Sequence, residues 1–348
     1  MGSGLNKGHT VLAVLAAAAA VWAYLVTHPL GGAATSADGG VRVWDVPVQS
    51  VTALRYQDGV TKTVLTPDWA AGAAAPYIWV EADSPGHRAA PPKPKPPGKE
   101  KVPPQPESFE PEHDAFRGNA TAQQTLEQFA ALSATRDLGR LESLDAARFG
   151  LPNPEASLEL ERKGEPALKL ELGRVSFGNT GRYAHSLANG HVYLLRAPEL
   201  RRLSTARGTL MDRELLDIKP EDVARVELQA GGASRTLHRL AEPNQWGVAP
   251  DAGAAVADAS VLMSSLQSLR ALRYGAADGG SEVPAGTPAL EVRLFRAGST
   301  EPAAWLRLYA GEGQTVTVVS SYTRRPVQVP RTAAGPVLEK ARMLLRGT

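Results

Sequence analysis

Apolar and polar residues alternate with period two in short runs along most of this chain, and a few longer runs carry helical spacing. Over residues 50–57, Leu54 and Tyr56 fall on one face and Arg55 and Gln57 on the other, which predicts a strand. Asp58-Gly59 is a hairpin turn signal, and 60–65 predicts the returning strand. Residues 76–81 (PYIWVE) predict a third strand. Residues 121–138 predict a helix, with Leu126, Phe129 and Ala130 at helical spacing. Strands follow at 157–162, with Leu158 and Leu160 inward, and at 167–172, with Leu168, Leu170 and Leu172 inward. Residues 182–187 and 191–195 predict a hairpin around Asn189-Gly190, a type I′ signal. Pro198 is suited to the first position of a short helix reaching Leu203. Residues 211–218 then lead into a second half.

That second half repeats the order. Residues 223–229 match 51–57, with Val226 and Leu228 standing where Leu54 and Tyr56 stand. Thr236-Leu237 matches Val64-Leu65, and 245–248 holds a Trp as 77–80 does. Residues 258–272 predict the matching helix, with Leu262, Leu266 and Leu269 on one face. Residues 290–296 and 303–308 match the strands at 157–162 and 167–172, and 315–321 with 326–329 matches the hairpin. Residues 336–346 predict a final helix, again opened by a proline. The expected fold class is therefore α+β: a tandem duplication of a mostly antiparallel sheet-plus-helix module.

Two stretches stand outside this repeat. Residues 10–27 carry no charge and, taken as a helix, span roughly 27 Å, close to the thickness of a bilayer's hydrocarbon core. Trp22 and Tyr24 sit near the outer end, and Pro29, Gly31 and Gly32 stop the helix. Lys7 lies on the N-terminal side, which predicts a cytoplasmic N-terminus and an exported body in the periplasm, held at the bacterial inner membrane. A cleaved signal peptide, with small residues at 31–37 as its cleavage site, is the alternative. The second stretch, 84–114, is rich in proline and charge, with Arg88, Lys93, Lys95, Lys99 and Lys101 ahead of Glu107, Glu110, Glu112 and Asp114. Such composition favours extended polyproline II over a packed core. Against the repeat it is an insertion inside the first module, so it reaches out over about half its contour, on the order of 45 Å. The expected organisation is a cytoplasmic N-terminus at 1–9, a transmembrane anchor at 10–28, a linker at 29–45, a first module at 46–208, a connector at 209–221 and a second module at 222–346.

Composition narrows the chemistry. A net charge of +2 gives no global field toward nucleic acid, which is not expected as a partner. The chain has no cysteine, which excludes disulfides, thiolate metal sites and a cysteine nucleophile. His185 and His191 are the one close histidine pair. If Asn189-Gly190 is a two-residue turn, Ala188 pairs with His191 and His185 points to the other face, against a shared metal. Ser186 beside His185 is adjacency, not a triad. Gly231-Gly232 and Gly279-Gly280 lack the following Lys-Ser/Thr of a phosphate cradle and read as turns. Asp212 reads as a cap or salt bridge at the junction between modules, with an acid–base set of Asp212-Arg213 and Glu214 as the alternative. Trp79 and Trp246 read as sheet-packing residues, with a cleft between copies as the alternative. The basic polyproline run Pro91-Pro92-Lys93-Pro94-Lys95-Pro96-Pro97 is the best candidate partner-binding segment, suited to an aromatic groove or a charged rim. No catalytic residue, metal or cofactor is expected, and an envelope hydrolase would need convergent carboxylates or a Ser/His pair that the sequence does not bring together.

One set of residues carries a resemblance: Phe149-Gly150-Leu151 with Pro154, Gly181, Tyr183, Val192-Tyr193-Leu194-Leu195, Leu210, Asp212-Arg213, Leu215-Leu216, and Val223 with Val226. In that order, over roughly residues 45–345, the chain resembles uncharacterised membrane-anchored proteins encoded beside gliding-type (Gld-like) ABC transporters in bacteria. The long proline-rich insertion and a weaker second copy are its departures. The resemblance implies one N-terminal transmembrane helix, a duplicated extracytoplasmic domain and an ABC transporter permease or other inner-membrane protein as partner. It supplies no catalytic residues. The expected function is a non-enzymatic accessory subunit of an ABC transport system, acting as a protein-interaction platform. The alternative is a periplasmic module that binds or chaperones a glycan or lipid in the cleft between copies.

Overall fold

The chain builds two large antiparallel sheets, one after the other, in a computed structural model that describes residues 40–70, 75–85, 112–154, 156–242, 244–248, 255–275, 282–311 and 313–346. The expected anchor at 10–28 and Pro91–Pro97 lie outside these residues. Among the described residues, no helix is long and apolar enough to cross a membrane.

The first module runs β1 (Val41–Arg42), β2 (Val51–Asp58), β3 (Thr61–Asp68), β4 (Tyr77–Ser84), β5 (Glu112–Arg117), α1 (Ala120–Ala130), β6 (Ser133–Ala134), β7 (Arg136–Arg140), α2 (Ala146–Phe149), β8 (Ala156–Arg162), β9 (Glu165–Val175), β10 (Gly181–Ser186), β11 (His191–Arg196), α3 (Ala197–Ser204) and α4 (Ala206–Thr209). The second runs β12 (Arg225–Ala230), β13 (Ala233–Arg239), β14 (Trp246–Gly247), α5 (Ala257–Ser268), β15 (Arg273–Tyr274), β16 (Leu290–Phe295), β17 (Ala304–Tyr309), β18 (Thr315–Ser320), β19 (Val327–Pro330) and α6 (Arg331–Arg346). Sheet one has the order β5-β4-β3-β2-β8-β9-β10-β11-β7, and sheet two the order β14-β13-β12-β16-β17-β18-β19-β15. Strand for strand these orders coincide, with β5 the only addition among the described residues, which suggests a repeated module. In each, the chain steps outward to one edge, crosses the sheet on a helix to the opposite edge, and returns to the centre for a second meander.

Register explains the cores. Leu54 pairs with Leu65 on one side and Leu160 on the other, while Tyr56 pairs with Leu158. In sheet two, Leu228 pairs with Val292, and Val292 with Leu306. These side chains share a face because opposite residues of an antiparallel pair do. Helix residues at three-to-four spacing cover them: Leu126 and Phe129 from α1, Leu262 and Leu266 from α5, and Val337, Ala341 and Leu344 from α6, all buried. Truncating one such leucine to alanine costs about 2–5 kcal/mol.

Several expectations need correction. The helix expected over 121–138 ends at Ala130, because Thr135, Asp137 and Gly139 are weak helix formers and the segment supplies the edge strand β7, paired to β11. Gly139 takes φ +96, which a helix excludes. The helix expected over 258–272 likewise stops at Ser268, so that β15 can pair with β19. The last helix begins at Arg331, and Pro336 lies inside it. The extra turn seats Ala334 in the core, while the Arg331 amide donates to Gln314 O at 2.8 Å. The β10–β11 connection is longer than a two-residue turn: His185 pairs with Val192, leaving Leu187–Gly190 as the loop. The proline-rich insertion is shorter than 84–114, since Ser84 pairs with Glu112 and Ala82 with Asp114 in the β4–β5 ladder. It therefore leaves and re-enters at one end of sheet one.

Candidate functional site at the junction of the modules

Chain direction decides what meets at the junction. β4 starts at Tyr77 and β5 ends at Arg117, so both present these residues at the end of sheet one nearest the second module. After α4, Met211 forms an antiparallel bridge with Gly118, and the Asp212 amide donates to Arg117 O at 2.8 Å. This covers the backbone edge of β5 at its Arg117 end. Asn119 fastens the same point. Its side chain caps α1 by accepting from Ala122 N at 3.1 Å, and its amide donates to Thr209 O and Met211 O at 3.1 and 3.2 Å.

Asp212 is buried between the modules. Its Oδ2 accepts the Tyr322 hydroxyl at 2.6 Å and faces Arg117 Nε at 3.7 Å, and its Oδ1 accepts the Glu214 amide at 3.0 Å. Its carbonyl accepts the Tyr274 hydroxyl at 3.1 Å. The Arg117 guanidinium lies 3.4 Å from the centroid of the Tyr322 ring and 5.1 Å from that of Tyr77, and it also donates to Tyr322 O. The Tyr77 hydroxyl donates to Thr323 O at 3.2 Å. Trp79 meets Tyr274 edge to face at 6.0 Å and carries Arg325 at 3.9 Å from its ring. Residues from β4 and β5 thus interlock with β15 and with the turn between β18 and β19. Arg324 in that turn has φ +58, a left-handed conformation that favours glycine or asparagine. Its guanidinium sits 4.4 Å from the Tyr77 ring, a contact that offsets part of that cost.

Beside this knot the modules leave a cleft of about 390 Å³, lined by Pro76, Tyr77, Arg117, Asp217, Ser321, Tyr322 and Arg324 among others. Burial pushes the phenols of Tyr274, Tyr322 and Tyr77 above the ordinary range. For Tyr274 the charge of Asp212 adds to burial, and for Tyr322 both the hydrogen bond to Asp212 and its charge do; at Tyr77, Arg117 and Arg324 pull the other way. The phenols remain protonated donors at neutral pH. The cleft can bind through stacking and hydrogen bonds.

The candidates from sequence fall as follows. Asp212 is in the knot described above. The Arg213 side chain donates to Ala271 O at 3.3 Å and its carbonyl accepts the Ala271 amide at 2.8 Å, so it ties the connector to the second module. His185 meets Glu171 at 3.0 Å and His191 meets Asp137 at 2.9 Å, each with its own carboxylate. Among the described residues, no group of three or more His, Cys, Asp or Glu is placed to hold a metal. Ser186 is buried in sheet one. Gly231 and Gly232 turn the β12–β13 hairpin at φ +55 and +85. Trp246 is buried in the second core, whereas Trp79 lies at the junction. Sequence reasoning missed Arg117, Tyr77, Tyr274, Tyr322 and Arg324. The signal present was the turn Ser321-Tyr322-Thr323-Arg324-Arg325, which holds aromatic and cationic residues where glycine or asparagine is usual.

No curated protein and no solved structure matches the chain. A family model does match, from the start of β5 to the residue before β16, a span holding Arg117, Asp212, Arg213 and Tyr274. Over residues 112–289, just over half of its length, the chain fits DUF4340, a domain of unknown function, and it belongs to that family.

Proposed function

We propose that this chain is a non-enzymatic, membrane-anchored extracytoplasmic subunit of an ABC transport system, built from two tandem copies of one unit and serving as an interaction platform. The observation that carries the reading is the junction. Asp212, Arg117, Tyr322 and Tyr274 are joined by part-buried hydrogen bonds and an ion pair that span both modules, as in a rigid scaffold rather than a hinge. The proline-rich insertion leaves and re-enters sheet one at the opposite end, between Ser84 at the end of β4 and Glu112 at the start of β5, and is the segment proposed to meet a partner. The N-terminal apolar segment at 10–28, the periplasmic location of the body and a gliding-type transporter as partner belong to the same proposal. Affinity isolation of the full chain from bacterial membranes in mild detergent is the test. Recovery of an ABC permease is expected, and a preparation that recovers none counts against the reading.

A second reading rests on the cleft. Tyr77 and Tyr322 beside Arg117 and Arg324 suit an acidic saccharide, which stacks on aromatic rings and pairs its carboxylate with guanidinium. Calorimetric titration with a uronic-acid oligosaccharide should then show binding that Arg324→Ala abolishes. An absence of binding to the unaltered chain removes this reading.

A further inference from the structure

The end of sheet one remote from the second module carries apolar side chains in water. Phe177 is fully exposed, and Val175 and Val60 are exposed beside it on the same end of the sheet. Pairing places them together: Asp58 faces Ala156, Ala156 faces Leu172, and Arg182 faces Val175. Phe177 is not there through slackness of its turn. The Ser176 amide donates to Gly181 O at 2.8 Å, the Gly181 amide donates to Ser176 Oγ at 3.0 Å, and the Asn179 amide donates to Ser176 O at 3.0 Å. Gly181 allows the close approach, since a Cβ there would lie 2.4 Å from Leu195 O. The turn is built to hold a large aromatic outward. Two exposed cations flank it, Arg174, whose guanidinium donates to Ala147 O at 3.1 Å, and the neighbouring Arg148. An aromatic with aliphatic neighbours and a cationic fringe is the pattern of side chains that enter a lipid interface.

The chain's entry point lies at the same corner. Val41 pairs with Ala134, the Thr135 amide donates to Leu194 O at 2.8 Å, Leu194 pairs with Tyr183, and Gly181 at the base of the turn pairs with Arg196. Between residue 27 and Gly40 stand about a dozen residues, a reach of at most ~40 Å. A membrane segment at 10–28 would therefore hold this corner near the bilayer.

We propose that the rim formed by Val60, Val175 and Phe177, with Arg148 and Arg174, rests on the lipid surface beside the anchor and turns the second module away from the membrane. This rests on the membrane-anchored reading above. The chain has no cysteine, so single-cysteine labelling needs no other change. Phe177→Cys and Leu187→Cys place a fluorescent label at opposite ends of β10 and β11, both at exposed positions that leave the cores intact. The full-length variants are reconstituted in phosphatidylethanolamine–phosphatidylglycerol vesicles with and without nitroxide-bearing lipid. The expected result is co-flotation, with a blue-shifted emission quenched by the nitroxide at position 177 and an unshifted, unquenched emission at 187. Co-flotation with both labels in water, or with the quenching at 187, overturns the orientation while leaving the anchor. Protein that does not float with the vesicles overturns the anchor and the orientation together.

Discussion

Replacing Asp212 with alanine removes a buried carboxylate that the junction shares between modules. The Tyr322 hydroxyl then loses its acceptor and the Glu214 amide loses another. Arg117 loses its counter-charge, with its side chain only 19% exposed. Hydrogen bonds to a charged group contribute about 1.5–3 kcal/mol each, and removing one partner of a buried pair costs about 3–5 kcal/mol. The Arg117 contact is long at 3.7 Å, and the ring of Tyr322 keeps part of the guanidinium's stabilisation. The expected loss is therefore near the low end, about 3 kcal/mol. Asp212→Asn keeps the shape and one acceptor but no charge, so about half that loss is expected. Urea unfolding of the purified full chain, followed by tryptophan emission, reads both the loss and its form. Trp246 is in the second core and Trp44 in the first, so both modules contribute to the signal. The unaltered protein should unfold in one transition and Asp212→Ala in two, because this residue joins Arg117 of the first module to Tyr322 of the second and the contacts left, such as Tyr77 with Thr323 and Trp79 with Tyr274, are more exposed. The Tyr322 phenol should also ionise at lower pH in the variant, since Asp212 accepts its proton and adds negative charge. An Asp212→Ala protein with an unchanged single transition would refute the claim that this carboxylate locks the modules.

Three further outcomes follow from local geometry. Asn119→Ala removes the cap of α1 and both ties to the connector, and should cost about 2 kcal/mol in thermal or urea unfolding, above the ~1 kcal/mol of a cap alone. Gly173→Ala should be more damaging than a surface Gly→Ala, because its Cβ would stand 2.2 Å from Phe149 O; a melting temperature equal to that of Gly208→Ala, where nothing lies within 4 Å, would contradict this. Glu199 is buried with Oε1 accepting Gln128 Nε2 at 2.8 Å and no hydrogen bond at Oε2, and burial pushes its carboxyl above the ordinary range. The fold then binds the proton more tightly than the unfolded chain does, so this group's contribution falls as pH rises from the ordinary carboxylate range through the raised value. Glu199→Gln should flatten that part of the stability–pH curve and be the more stable protein at neutral pH, as chemical unfolding across pH will show.

Strand pairing was the most legible part of the chain. Leu54 with Tyr56 and Val226 with Leu228 mark inward faces because each sits two residues from the next on a sheet with one wet side. The helices were legible by their apolar stripe but not by their ends. Arg136–Arg140 and Arg273–Tyr274 closely follow helical runs, with weak helix formers marking only the first, and each is drawn to an edge by a strand that arrives more than fifty residues later, β11 and β19. Local propensity carries no record of such a partner. The same limit hid the junction. Asp212 could be placed between modules because it lies on the connector, but Arg117, Tyr274 and Tyr322 meet it only through tertiary folding.

The junction also explains why the two sheets differ where they do. β4 has eight residues and a strand partner in β5, while its counterpart β14 has two residues and, among the described residues, pairs with β13 alone. The added length carries Tyr77 and Trp79 at one end and the proline-rich insertion at the other. The added strand supplies Arg117 and the edge that Met211 and Asp212 cover. The departure from repeat symmetry at this edge thus builds the internal joint: β4 and β5 supply Tyr77, Trp79 and Arg117, and the connector supplies Asp212.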